Sequence, residues 1–466
     1  MIADFDRKTA VVVDPPPWIA GERLAPSMFA AVRRRALLEF CKWDPQVGDV
    51  AVLADFPLIL RTGVWRELAA LAEQLTRETL AAEQEVVARP ELLDELGLPR
   101  PIRRVLRRAS CRGVTPPAAR AMRFDFHFTA EGWCISEVNS DAPGGFSESS
   151  SFTEMMAGHC CDAVPAGDPG ARWCDAIAHS AGSTGTVALL SAPGFMEDHQ
   201  VVAYAAAGLR QRGCTAHLAG PRHIEWRGGR AFLNSAWHCG PLDALVRFYQ
   251  SEWLVNRPRS AGWPFFFCGG HTPIGNPGVA IISESKRFPL IWDRLSVPLR
   301  AWRHLLPETR DPREAPWRTD DAWLLKTALC NTGDTVSIRA LLGAKQWRAV
   351  ARDAWLRPHR WVAQRRFLPL AIDAPAGPLY PCIGVYTVNG RTAGAYARAA
   401  PRPLIDFGAM DVALLVQRRP VNSDPCGDCA EPSHAHFGAL FPSGIGRDGL
   451  KEAFDAPREL KRDRLA

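Results

Sequence analysis

The stretch RFDFHFTAEGWCISEVNSDAPGG, residues 123–145, holds two alternating runs back to back. In the first, Arg123, Asp125 and His127 alternate with Phe124, Phe126 and Phe128. A period of two sends the polar set to one face and the phenylalanines to the core. Ala-Glu-Gly at 130–132 then offers a three-residue turn with glycine where positive φ is needed, and WCISEVN returns antiparallel. That register sets Thr129 against Trp133, Asp125 against Glu137 and Arg123 against Asn139. Two carboxylates directly opposite on one face repel, so something must compensate them. Arg123 can do so as a structural counter-ion. A divalent cation can too: Mg²⁺ takes one or two carboxylates plus phosphate oxygens, and Asn139 adds a neutral carbonyl oxygen.

Outward from the hairpin, the 466-residue, 51.3 kDa chain is 47% hydrophobic and 23% charged, which excludes disorder, collagen and small disulfide scaffolds. A formal charge of +6 does not by itself mark a nucleic-acid protein. Its distribution says more: residues 281–420 hold 22 basic and 12 acidic side chains, which suits a polyanionic ligand there. MIADFDRKTA does not read as a signal peptide, and no apolar run reaches membrane-spanning length, so a cytoplasmic protein is expected, with neither membrane nor nucleic acid as partner. The 13 cysteines are scattered through apolar runs such as FFFCGG and KTALCN, which suits buried free thiols. Cys426, Cys429, His434 and His436 could assemble four zinc ligands, although the His-x-His spacing is unlike the usual pairs.

The elements predict an α+β fold. Periodicity of three and four marks an all-helical N-terminal region, residues 1–120, ended by Pro90, Pro99 and Pro101. The hairpin opens a segment over 121–180. An α/β region over 181–275 carries TVALLSAP, HQVVAYAAAGLRQRG and TAHLAG as strand, helix and strand, with no nucleotide-binding glycine pattern in its first turn. Region 276–420 alternates helices with antiparallel strands and includes the tight turn Asn389-Gly390, and 421–466 is a loop-like tail.

Arg-Phe-Asp-Phe followed by Glu-Val-Asn-Ser-Asp before a Pro-Gly-rich turn resembles the metal-binding hairpin of the glutathionylspermidine synthase-like ATP-grasp ligases. The resemblance covers about residues 120–415. The acidic motif precedes the lysines, as in the circularly permuted branch, so a circularly permuted ATP-grasp fold with a pre-ATP-grasp α/β region is implied. It implies ATP and Mg²⁺ as cofactors, with Asp125, Glu137 and Asn139 holding the metal and Arg123 contacting phosphate or the acyl intermediate. Lys286 in SESKRF, opening a helix whose N-terminus favours phosphate, and Lys326 at the end of AWLLK resemble the family's nucleotide lysines. The loop CNTGDT, with the single glycine Gly333, stands where the family's phosphate loop is richer in glycine. VAQRRFLPL resembles the adenine strand and hinge, which points to Gln364, Arg365 and Phe367. Arg398 matches the arginine that holds the acyl phosphate, with Arg402 as its alternative.

The activity so implied joins a small-molecule or peptide carboxylate to an amine, polyamines among the candidates, through an acyl phosphate. Ser147, Glu148 and Ser149 near the metal motif, Arg247 for a carboxylate and Glu252 for a cationic amine are the substrate candidates. A phosphotransferase on the same core and a non-catalytic ATP-binding scaffold are the rival readings.

Overall fold

The computed structural model describes residues 16–47, 50–108, 117–236, 238–329, 336–375 and 377–418. Gly333 and the Cys426, Cys429, His434, His436 set lie outside them.

Ala121–Thr129 and Gly132–Asn139 form the expected hairpin, with Asp125 opposite Glu137 and Arg123 opposite Asn139. The corner is tighter than the sequence suggests. Thr129 pairs with Gly132 rather than Trp133, because its hydroxyl accepts from Glu131 N and donates to Gly132 O, closing the turn one residue early. Gly132 has φ +107°, in the region that favours glycine. A bulge at Ser136, between the Phe126–Ile135 and Asp125–Glu137 pairs, takes up the odd residue and restores the register.

The hairpin forms one side of a six-stranded sheet. Gly377–Val388 lies antiparallel to Ala121–Thr129, then follow Arg391–Ala400 and Met410–Val412, while Ile372–Ala374 pairs with Gly377–Val388 off the main path. Asn389 and Gly390, at φ +49° and +84°, make the two-residue turn between the long strands. Behind the sheet, Phe124, Phe126, Ile383 and Val385 pack with Leu68 and Leu75 of the helix Thr62–Ala88. Burying each phenylalanine contributes about 2–3 kcal/mol, which fixes which face of the hairpin is left for the polar set.

The N-terminal region is helical over Pro26–Glu39, Thr62–Ala88 and Arg100–Leu106, but it also gives strands Trp18–Ala20 and Leu58–Leu60 to a four-stranded sheet with Leu414–Gln417 and Ala163–Pro165. The all-helical expectation is corrected there, because runs of three residues are too short for a period to show. The α/β region forms a parallel sheet in the order Ile274–Gly275, Ala244–Phe248, Thr186–Ser191, Thr215–Ala219, with helix Met196–Gln211 between the last two in sequence. A smaller antiparallel sheet, the basic sheet, runs Thr309–Arg310, Trp361–Arg365, Trp323–Thr327, Val336–Ser337, and Ala344–Leu356 covers it through Trp317, Trp323, Trp361 and Ala354.

Cys41, Cys174, Cys214 and Cys382 are buried thiols, as expected, whereas Cys268 of FFFCGG is disulfide-bonded. Among the described residues no helix is long and apolar enough to cross a membrane.

Candidate active site

The polar face of the hairpin and one face of the basic sheet line a common cavity, which receives Arg123, Asp125, Glu137, Lys286 and Lys326. The two opposed carboxylates are each held by a cation. Arg123 grips Asp125 with Nε and Nη2 at 2.7 and 2.9 Å, and Asn139 Nδ2 donates to Asp125 Oδ2 at 3.1 Å. Glu137 pairs with Lys286 at 3.0 Å. Lys326 donates to the carbonyl of the bulged Ser136 at 3.0 Å, so the bulge anchors one of the two lysines. Burial alone would push the Glu137 carboxyl up, but Lys286 and Lys326 outweigh it and hold it down to about 2. Burial lowers Lys326 to about 8, although Glu137 opposes the shift.

Lys286 does not open a helix, as the sequence suggests. It lies in the turn between Ile281–Glu284 and the 3₁₀ segment Phe288–Arg294, where Pro289 follows closely, and its N–H donates to Ala328 O. Its charge faces Glu137. The carboxylate of Glu284, two residues earlier, accepts from Ser140 N and Asp141 N and so fixes the chain just after the hairpin.

Gln364, Phe367 and His127 also line the cavity. Gln364 Nε2 donates to Thr309 Oγ1 at 2.9 Å, while its buried Oε1 has no partner. The next residue alternates outward: the Arg365 side chain bonds Glu308 and Asp320, lies over Trp323, and does not line this cavity. His127 sits 5.0 Å from Phe367 between ring centroids and is held by Ser136 Oγ at 3.2 Å from Nε2. Burial lowers its pKa to about 4.

On the other side, Arg398 lines the cavity, donates to Asp406 O at 2.9 Å and stands 3.6 Å from Asp411. Arg402 pairs with Asp406 outside the cavity, so the geometry separates the two arginines that the sequence leaves equivalent. Asp411 also meets Lys42 at 3.0 Å. Lys42 is buried at the centre of a cluster with Glu148 at 2.6 Å and Asp44 at 3.0 Å. Sequence reading misses Lys42, because its acidic neighbours are as many as several hundred positions away. The one signal is a lysine set between Cys41 and Trp43. Glu197, on the first turn of Met196–Gln211, faces the same group: burial and Asp44 raise its pKa, and Arg398 and Lys42 lower it.

The substrate candidates fall elsewhere. Ser147 donates to Glu148 and Ser149 to Phe146 O; both are buried and neither lines the cavity. Arg247 is fully buried and bound to Asp141, Tyr249 O and Asn276 O, so its charge is already matched inside the α/β region and no carboxylate substrate is needed to explain it. Glu252 also lies off the cavity, and burial raises its carboxyl to about 8.

Among the described residues no group of three or more His, Cys, Asp and Glu forms a ready metal cage. The donor set that is present, two facing carboxylates and one amide, suits Mg²⁺ that arrives with phosphate oxygens of its own.

A central antiparallel sheet with facing acids, a smaller basic sheet above it and an α/β unit beside it define a glutathione synthetase-like, ATP-grasp-related fold. The chain belongs to the glutathionylspermidine synthase family, whose pre-ATP-grasp profile matches residues 63–415. No curated protein matches it. Among solved structures it is similar to a glutathione synthetase-like effector from Globodera pallida, at 11% identity over 83% of this chain and 96% of that one, with a TM-score of 0.55. A putative gamma-glutamylcysteine synthetase from Methylobacillus flagellatus KT is a more distant likeness, at 12% identity, 67% and 82% coverage and a TM-score of 0.36. The chain is thus synthetase-like in family and in fold.

Proposed function

We propose that the chain is an ATP-dependent ligase that joins a carboxylate to an amine through an acyl phosphate. The observation that carries this reading is the convergence of Lys286 and Lys326 on Glu137, directly across the hairpin from Asp125. With Arg123, Arg366 and Arg398 beside the two lysines, and only Asp125 and Glu137 against them, the cavity lining carries a surplus of positive charge that suits a polyanion.

In this reading Asp125, Glu137 and Asn139 hold Mg²⁺, which supplies charge neutralisation of the triphosphate. Lys286 and Lys326 bind phosphate oxygens, and Gln364 Oε1 accepts from the adenine amino group, with backbone groups of 365–367 beside it. A carboxylate oxygen of the acid attacks the γ-phosphorus and ADP departs. The amine then attacks the acyl carbon, phosphate leaves, and the proton lost from nitrogen passes to solvent or phosphate. Arg123 and Arg398 offset the charge on the transferring group, so catalysis is alignment and electrostatics without a covalent enzyme intermediate.

The test is ADP release across a panel of amino acids, peptides and polyamines, with Lys326→Ala and Glu137→Ala as controls. A ligase releases both ADP and phosphate only when acid and amine are together, and each variant loses at least a hundredfold. ADP release without phosphate would favour the phosphotransferase, and no release with any pair would sink the enzymatic reading.

A further inference from the structure

The polar groups around the cavity are largely satisfied within the protein, and His127 is an exception. The residue is 7% exposed, Nε2 is occupied by Ser136 Oγ, and Nδ1 is buried with no hydrogen-bond partner. A buried ring nitrogen left unpaired costs free energy, and such atoms call for an explanation. Neither the hairpin nor the hinge supplies a partner.

Its position suggests one. His127 is two residues from Asp125 on the same strand, hence on the same face and about 7 Å along it. On its other side it packs against Phe367, one of the hinge residues that line the cavity. It therefore lies between Asp125, assigned to the metal on the phosphates, and Phe367, assigned to the adenine end. In any nucleotide the group between phosphates and base is the sugar. A hydroxyl also donates and accepts, so it satisfies Nδ1 in either tautomer, whereas an edge atom of the base satisfies only one.

We infer that His127 binds a ribose hydroxyl of the nucleotide through Nδ1, with Ser136 fixing the ring through Nε2. This rests on the ATP reading above and adds a sugar-selecting residue to it. The bulge then has a double use: the Ser136 side chain sets the histidine and its carbonyl sets Lys326.

The experiment titrates the full chain by calorimetry with MgADP, Mg-2′-deoxyADP and Mg-3′-deoxyADP, which needs neither acid nor amine. For the wild type, loss of one of the two hydroxyls weakens binding about five- to tenfold. His127→Phe, which keeps the contact with Phe367, weakens MgADP by a similar factor and no longer distinguishes that deoxynucleotide; His127→Gln recovers part of the discrimination. A wild type indifferent to both deoxynucleotides, a result independent of whether any variant folds, overturns the inference, as does a hydroxyl preference that persists in His127→Phe. Both outcomes leave the ATP reading standing. A wild type that binds no adenine nucleotide at all overturns the two together.

Discussion

Glu137 carries the strongest electrostatic consequence of the site. Its pKa is about 2 in the folded chain against an ordinary 4.5, so the stability it contributes is fully present above pH 4.5 and is lost as pH falls toward 2. Urea unfolding followed from pH 6 to pH 2.5 should show that loss in the wild type, roughly 1–3 kcal/mol, and a smaller one in Glu137→Gln. Lys326 has the opposite sense. With its pKa lowered to about 8, it is increasingly neutral above that pH, and a phosphate that binds beside it restores the proton. MgADP binding at pH 8.5 should therefore take up a proton, read as a binding heat that varies with the ionisation enthalpy of the buffer; Lys326→Met should abolish that dependence. The residues that read clearly from sequence are those whose partners are local: Arg123, Asp125, Glu137 and Asn139 follow from one hairpin. Arg247 and Lys42 do not, because Asp141 lies 106 positions before the first and Glu148 106 after the second. A charge matched across the fold looks the same in sequence as a charge awaiting a ligand.

Among the elements, the hairpin holds a lesson about register. Alternation of phenylalanines decides which face is buried, and it does so over Phe124 and Phe126 whatever the turn does. The turn itself depends on one threonine hydroxyl, and the bulge at Ser136 then returns Asp125 and Glu137 to the positions a longer turn would have given. The right pairing is thus legible while the path to it is not. Deleting Ser136 should leave a regular, folded hairpin, with little change in the far-ultraviolet dichroism, yet weaken MgADP binding about tenfold or more through loss of the Lys326 anchor. Arg287 joins elements rather than ligands. It is buried and bonds Glu95 O, Pro358 O, Trp361 O and Asp311, tying the N-terminal helices to the basic sheet. Arg287→Ala leaves those buried carbonyls without their donor, while Arg313 still holds Asp311, and should cost about 2–4 kcal/mol in chemical denaturation.

At the level of the molecule, the alternation of helices and strands made an α+β arrangement readable, and the surplus of basic residues over 281–420 marks the part of the chain that contributes Lys286, Lys326 and Arg398 to the cavity. What could not be read is the sheet joining Trp18–Ala20, Leu58–Leu60, Leu414–Gln417 and Ala163–Pro165, since three- and four-residue runs carry no period and their partners are distant. Leu415 and Leu414 are fully buried there. Leu415→Asp should lower the melting temperature by several degrees and make the Trp18–Leu60 segment sensitive to limited proteolysis, although the substitution lies more than 350 residues away from it. Because Leu58–Leu60 runs parallel to Leu414–Val416, a strand early in the sequence waits for one more than 350 residues later. On a ribosome, then, no amount of time spent translating the middle of this protein can complete its first sheet; the opening residues must be kept from wrong partners until position 417 has emerged.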